Sequence, residues 1–153
     1  MIIIYCNKHR DFKEIEEMEK NSKFQYTNPR LIGIELNVNE SYTGKSNSEQ
    51  NLRVETSVES KKNSNIERGF NYSHVVMSAK LGGKESDSPF FLEVKMAVDF
   101  RWSDDFNEDK IEKLLRQNGS VLLLSYIRPL VASLSLQAGV GPINIPFLDF
   151  SQD

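Results

Sequence analysis

The sequence predicts an α+β fold, a four-stranded antiparallel sheet covered on one face by C-terminal helices. Three observations carry this reading. Runs of strict period-two alternation fill residues 24 to 102, connections between them are short and turn-rich, and an apolar helical stretch follows the last run. At 153 residues the chain has the length of one domain and buries enough surface to need no disulfide or metal staple.

Residues 1 to 22 form an N-terminal extension ahead of a domain spanning 23–153. It opens with the apolar Met1 to Cys6 and continues into a charged stretch, where Phe12, Ile15 and Met18 recur at every third place and allow a short amphipathic helix. The strands come next. Ile32, Ile34, Leu36 and Val38 alternate with Gly33, Glu35, Asn37 and Asn39, and Leu52, Val54 and Val58 alternate with polar neighbours. A third run, Phe70 to Leu81, carries apolar residues in both phases. In the fourth, Phe90, Leu92, Val94, Met96, Val98, Phe100 and Trp102 occupy every second position. Period two puts one set on a buried face and the other in water. Short connections such as Gly82-Gly83 favour antiparallel pairing, because parallel strands need long crossovers.

Asp104 or Asp105 is expected to cap a first helix, with Ile111, Leu114 and Leu115 on its apolar side and Asn118-Gly119 as its stop. Ser120 would then cap a second helix ending near Ala138, with Gly139 as terminator. From Gln117 to Leu148 the only charged side chain is Arg128. At 100° per residue Leu123, Leu124, Tyr126, Ile127, Leu130, Val131 and Leu134 share the face that covers the sheet. The opposite side, with Val121, Leu122, Ser125, Ala132, Ser133, Ser135 and Leu136 plus Arg128, is small and mostly uncharged. A helix apolar nearly all round is buried all round, so Ser125, Ala132 and Ser133 are expected at a homo-oligomer interface. Pro129 lies inside this helix, and two further prolines force an extended path over Gly141 to Phe147.

Composition excludes several function classes. Net charge −3 and pI near 5.5 argue against a nucleic-acid binder, which needs a surplus of Lys and Arg. One cysteine, Cys6, rules out an internal disulfide framework and suits a reducing cytoplasm. Val121 to Val140 approaches membrane length, yet Arg128 and Pro129 sit at its centre, where a charge costs about 2.5–3.5 kcal/mol; no membrane span is expected. Neither a phosphate loop nor a Ser–His arrangement is recognisable, and Cys6 with His9 lacks further metal ligands. The chain is therefore not expected to be an enzyme or to carry a cofactor or metal.

Phe91-Leu92-Glu93-Val94, Tyr126 and Arg128 as a Tyr-x-Arg element, Gly139, Pro142-Ile143-Asn144-Ile145, and Asp149-Phe150, taken in this order, resemble the SecB family of protein-export chaperones. Upstream, Phe24 to Pro29 resembles the family's first strand entrance, so the similarity covers residues 24 to 150. It implies a cytoplasmic homotetramer that holds unfolded polypeptides without ATP and passes them to the motor ATPase SecA, with Glu93 at the strand position used for motor docking. Some SecB-like proteins instead guard an antitoxin in a toxin–antitoxin system. That dedicated role and a small-ligand-binding role are the alternatives. The chain departs from the export type at Asn21 and Gln25, which are uncharged where the family has acids, and at Pro129, where an acid often follows the arginine.

Client-binding candidates are the apolar side chains that the core pattern does not require. Phe91 lies on the polar phase of its strand. Ile143, Ile145 and Phe147 share one edge of the proline-held segment, and Leu122 and Tyr126 lie a turn apart on the helix. The competing reading has Ile143, Ile145 and Phe147 closing the core beneath the helices. Arg128 is expected to pair with a carboxylate of the sheet, of the first helix or of a neighbouring subunit, or else to reach water.

Overall fold

The computed structural model describes residues 24–43, 51–61, 69–84 and 88–150. The N-terminal extension over 1–22, with Cys6, His9 and the Phe12–Met18 periodicity, lies outside the described residues, and so does Asn21.

Five strands build one antiparallel sheet: β1 (Phe24–Tyr26), β2 (Arg30–Val38), β3 (Leu52–Lys61), β4 (Phe70–Gly82) and β5 (Phe90–Ser103). They fill the four expected positions, because β1 and β2 share the flank of β5 that β4 does not occupy. Pro29 has no N–H to give to a ladder and separates the two. Thr27 bridges the gap: its N–H donates to the Asp99 carbonyl at 2.9 Å and its hydroxyl accepts from the Asp99 N–H at 3.1 Å. The sheet order is thus β1/β2, β5, β4, β3.

Alternation sets the two faces as the sequence predicts. Val75, Met77, Ala79 and Leu81 of β4 stand opposite Val98, Met96, Val94 and Leu92 of β5, and all are buried on the helix side. The β4–β5 turn requires Gly82. Its φ is +71°, and an added Cβ would lie 2.1 Å from the Phe90 carbonyl oxygen.

The helical cover runs without a stop from Glu108 to Gln137. It comprises α1 (Glu108–Lys113), a π segment (Leu114–Asn118) and α2 (Gly119–Gln137). Asn107, rather than Asp104 or Asp105, caps α1 by accepting from the Asp109 N–H at 3.0 Å. Asp104 instead accepts from the Asn71 amide at 2.7 Å, and Asp105 from the Ser103 hydroxyl. The expected stop at Asn118-Gly119 does not occur. Gly119 is helical at φ −60° and faces Phe100 and Val75, with room for a Cβ at ordinary contact distance. The wide π turn, closed by the Gly119 N–H on the Leu114 carbonyl, carries the chain through while Leu115 stays buried. Ser120 is buried and donates to the Thr56 hydroxyl at 3.1 Å instead of capping.

Gly139 does terminate α2, at φ +79°. The Val140 N–H reaches the Ser135 carbonyl and the Gly139 N–H the Leu136 carbonyl, a Schellman arrangement. Beyond it, residues 141–150 fold back along α2. Ile143 docks at Ser135 and Pro146 at Arg128, and Ile145 enters the core.

Candidate functional site

Leu123, Leu124, Ile127 and Val131 turn inward onto the sheet, and Leu130 and Leu134 are partly buried against the same core. The run Asp109–Gln137 is long and apolar enough to cross a membrane by length and composition, but this inward face packs on the sheet. Tyr126 departs from the expected inward set and is 45% exposed. It shares the outer side of α2 with Val121 and Leu136, 46% and 59% exposed, and with the exposed Ser125, Pro129 and Ser133 and the half-buried Ala132. Ser125 spends its hydroxyl on the Leu122 carbonyl at 2.7 Å, and the Ser133 hydroxyl accepts from Gln137 at 3.2 Å. The three small residues therefore present a low, self-satisfied surface.

The returning segment does not keep one apolar edge. Ile145 is buried in the core at 5% exposure, and Ile143 is partly buried with its N–H held by Ser135. At Pro146 the phase changes: Leu148 and Phe150 turn toward the core and Phe147 turns out, 78% exposed. Leu122 is partly buried against the core and Ser135 is fully buried, so neither belongs to the outer side on which the helical angle places them. Of the candidates on this side, Tyr126 and Phe147 are the ones left open to a partner.

Arg128 stands beside Phe147, whereas Tyr126, two residues back on α2, lies on the other flank of the helix's outer side. The Arg128 Nη2 donates to the Pro146 carbonyl at 2.6 Å, and its guanidinium stands 5.7 Å from the centre of the Phe147 ring. Its Nε is buried without a hydrogen-bond partner. A neutral carbonyl, and no carboxylate, is thus its partner among the described residues.

Phe91 is on the other face of the sheet. It is only 8% exposed, lies outside the main core cluster, and is capped by the Lys84 ammonium 4.6 Å from its ring centre. With Asn37, Val38, Asn39, Ser41, Gly83 and Lys84 it lines an open cleft of about 620 Å³. The structure therefore separates Phe91 from the helix-side candidates.

The same open face carries a cross-strand mosaic of charge. Glu93 accepts from the Ser78 hydroxyl at 2.8 Å and lies 3.3 Å from the Lys95 ammonium and 3.7 Å from that of Lys80. Burial alone would raise its pKa. The hydroxyl and the two ammonium groups outweigh that and hold the carboxyl below its ordinary range. Asp99 is treated alike: burial opposes ionisation, but Arg30 and His74 hold its pKa down, the His74 Nδ1 lying 2.5 Å away. Arg101 is buried with its Nε on the Gln25 amide oxygen at 3.0 Å and its guanidinium over the Phe70 ring. No group of three or more His, Cys, Asp or Glu side chains that could hold a metal occurs among the described residues.

An apolar edge that the sequence reading had counted as covered is open. Ile34 and Val38 of β2 stand in register with Val94 and Phe90, on the core side, yet are 44% and 47% exposed. A register shift between Leu31 and Gly33 leaves Leu31 and Ile32 exposed as well. The signal was geometric: one helix about 10 Å wide roofs little more than two strands spaced about 4.8 Å apart.

The fold is shared with the SecB-like chaperone of Mycobacterium tuberculosis, solved in complex with a ChAD peptide from the HigA1 antitoxin. The two chains are 16% identical over 83% of this chain and 91% of that one, at a TM-score of 0.60. A protein of unknown function from Streptococcus agalactiae is similar at 11% identity, with 81% of this chain and 97% of that one covered and a TM-score of 0.51. No protein-family model and no curated sequence matches. At these identities the likeness is one of fold, and that fold is SecB-like.

Proposed function

We propose that this chain is an ATP-independent, SecB-like polypeptide-binding chaperone. The observation that carries the reading is the uncovered apolar surface on the helix side, led by Phe147 and Tyr126, in a fold shared with a chaperone solved with a bound peptide. Burying one client Leu or Phe there is worth about 1.5–3 kcal/mol, so a few anchors give micromolar, sequence-tolerant binding. A holdase needs nothing more, because it acts by mass action on the unfolded or partly folded chain. Self-association through Ser125, Ala132 and Ser133 belongs to the same proposal, with a cytoplasmic tetramer as the assembly the SecB resemblance implies.

One observation favours a dedicated partner, such as an antitoxin, over delivery to the export motor SecA. Glu93 is already engaged by Lys80, Lys95 and Ser78, and basic side chains interleave with acids across the open face. Among the described residues such a face offers no acidic patch to a basic dock. The mycobacterial relative's antitoxin peptide supports the same choice.

Light scattering tests the reading. Purified protein should suppress aggregation of a denatured client at near-stoichiometric ratio. Suppression of many unrelated clients would favour the export-type role, suppression of a single partner's aggregation the dedicated one, and no suppression of any would remove the chaperone reading.

A further inference from the structure

We infer that Arg128 is an anion anchor within the apolar surface, and that the preferred client is a polypeptide segment in which apolar residues flank an acidic one. The inference rests on the polypeptide-binding reading and names the chemistry of its substrate.

Arg128 is the only charge between Gln117 and Leu148. A cation in so apolar a stretch normally takes a carboxylate from its own fold, since partial desolvation without a counter-charge is costly. Arg128 takes a backbone carbonyl instead, and its Nε is buried with no partner among the described residues. The Pro146 carbonyl and the Phe147 ring hold the guanidinium in place. Its position is thereby fixed while its charge stays unneutralised. Nη1 and the second N–H of Nη2 remain for an end-on, two-bond grip on a carboxylate. The exposed Phe147 ring beside it lowers the local dielectric once a client covers it, which strengthens that grip.

A second copy does not supply the anion by packing helix face on helix face. Such an isologous contact brings the same acid-free stretch against itself. Asp149, the next acid along the chain, is engaged elsewhere. Among the described residues no carboxylate is placed on Arg128, and the one it takes is carried by a client polypeptide.

The test uses full-length protein and fluorescence anisotropy with a dye-labelled peptide of Leu-Phe-Asp-Leu-Phe type. Twin peptides carry Asn or Lys in place of Asp. Wild type should bind the Asp peptide about tenfold tighter than the Asn twin, the gain of one charge-assisted pair. Arg128→Met should lose that preference while keeping the affinity for the Asn peptide, which also reports that the variant is folded. Arg128→Glu should invert the order toward the Lys peptide. Equal binding of all three peptides by wild type, or an Asp preference that survives in Arg128→Met, would overturn the anchor and leave the chaperone reading standing. Failure to bind any peptide would overturn both. An Arg128→Glu variant that changes sedimentation mass but not peptide preference would assign the charge to self-association and overturn the anchor.

Discussion

The buried hydroxyl of Ser135 ties the end of the domain to its helix: it accepts the Ile143 N–H at 2.8 Å while donating to the Ala132 carbonyl at 3.1 Å. This one side chain orients the segment that delivers Ile145 to the core and Pro146 to Arg128. Ser135→Ala orphans the Ile143 N–H, and the expected loss is about 1–3 kcal/mol. Urea unfolding should show it, and limited proteolysis should cut residues 141–150 sooner than in wild type.

Gly119 distinguishes a helix stop from a packing glycine. Its φ is helical, and an added Cβ would meet Phe100 and Val75 at 3.4–3.6 Å, ordinary contact distances. Gly119→Ala should therefore be neutral or stabilising by up to about 1 kcal/mol. Gly119→Leu should lose about 1–3 kcal/mol through overpacking against Phe100. A destabilised Ala variant in thermal melts would show that Phe100 cannot accommodate even a methyl group there.

Phe147 and Ile145 should separate cleanly although only two residues apart. Phe147→Asp changes an exposed position and should leave stability within about 0.5 kcal/mol while weakening aggregation suppression. Ile145→Ala removes a core side chain and should lose about 2–5 kcal/mol. Paired melting and light-scattering curves check both.

Asp99 gives the fold an acid-sensitive contact. Its carboxyl ionises more readily in the folded state than at the ordinary value of 3.8, because Arg30 and His74 overcome the opposing effect of burial. A carboxyl lowered in this way adds stability that is fully present above its unfolded value and is lost as pH falls through the folded one. Asp99→Asn should lower stability at neutral pH and flatten the loss below about pH 4. Denaturant midpoints measured across that range would show an unchanged acid limb if the contact were idle.

Ala132→Glu tests the self-association surface. Under the proposed self-association, a charge at this position should give the variant a lower sedimentation mass than wild type. A wild-type chain already monomeric at tens of micromolar (roughly the concentration of such assays) would remove that surface.

Much of this was legible in the chain. The alternation from Phe90 to Trp102 settles β5 and its inner face because period two admits one assignment. Gly139 announced its own turn, since only a left-handed position follows an apolar helix there so readily. Local signals misled where tertiary packing overrode them. Asn118-Gly119 has the composition of a helix stop, but contact with Phe100 decides its conformation. Tyr126 falls in the inward arc by angle alone and still faces out. Phe147 shares the phase of Ile143 and Ile145, yet the change at Pro146 reverses it. Arg128 was visible as a lone charge, but its carbonyl partner lies eighteen residues on and no periodicity points to it.

Because among the described strands β1 and β2 pair with β5 alone, these first strands have no described partner until the last has been made. Val38 meets Phe90 and Arg30 meets Ala97, partners some fifty residues or more apart, whereas β3, β4 and β5 form by successive hairpins. Local pairings close quickly and distant ones slowly. On the ribosome, Leu31, Ile32, Ile34 and Val38 therefore emerge early and wait through the synthesis of most of the sheet, exposed to the very aggregation hazard that a holdase relieves in others. An apolar edge left waiting in this way needs cover of its own until β5 arrives.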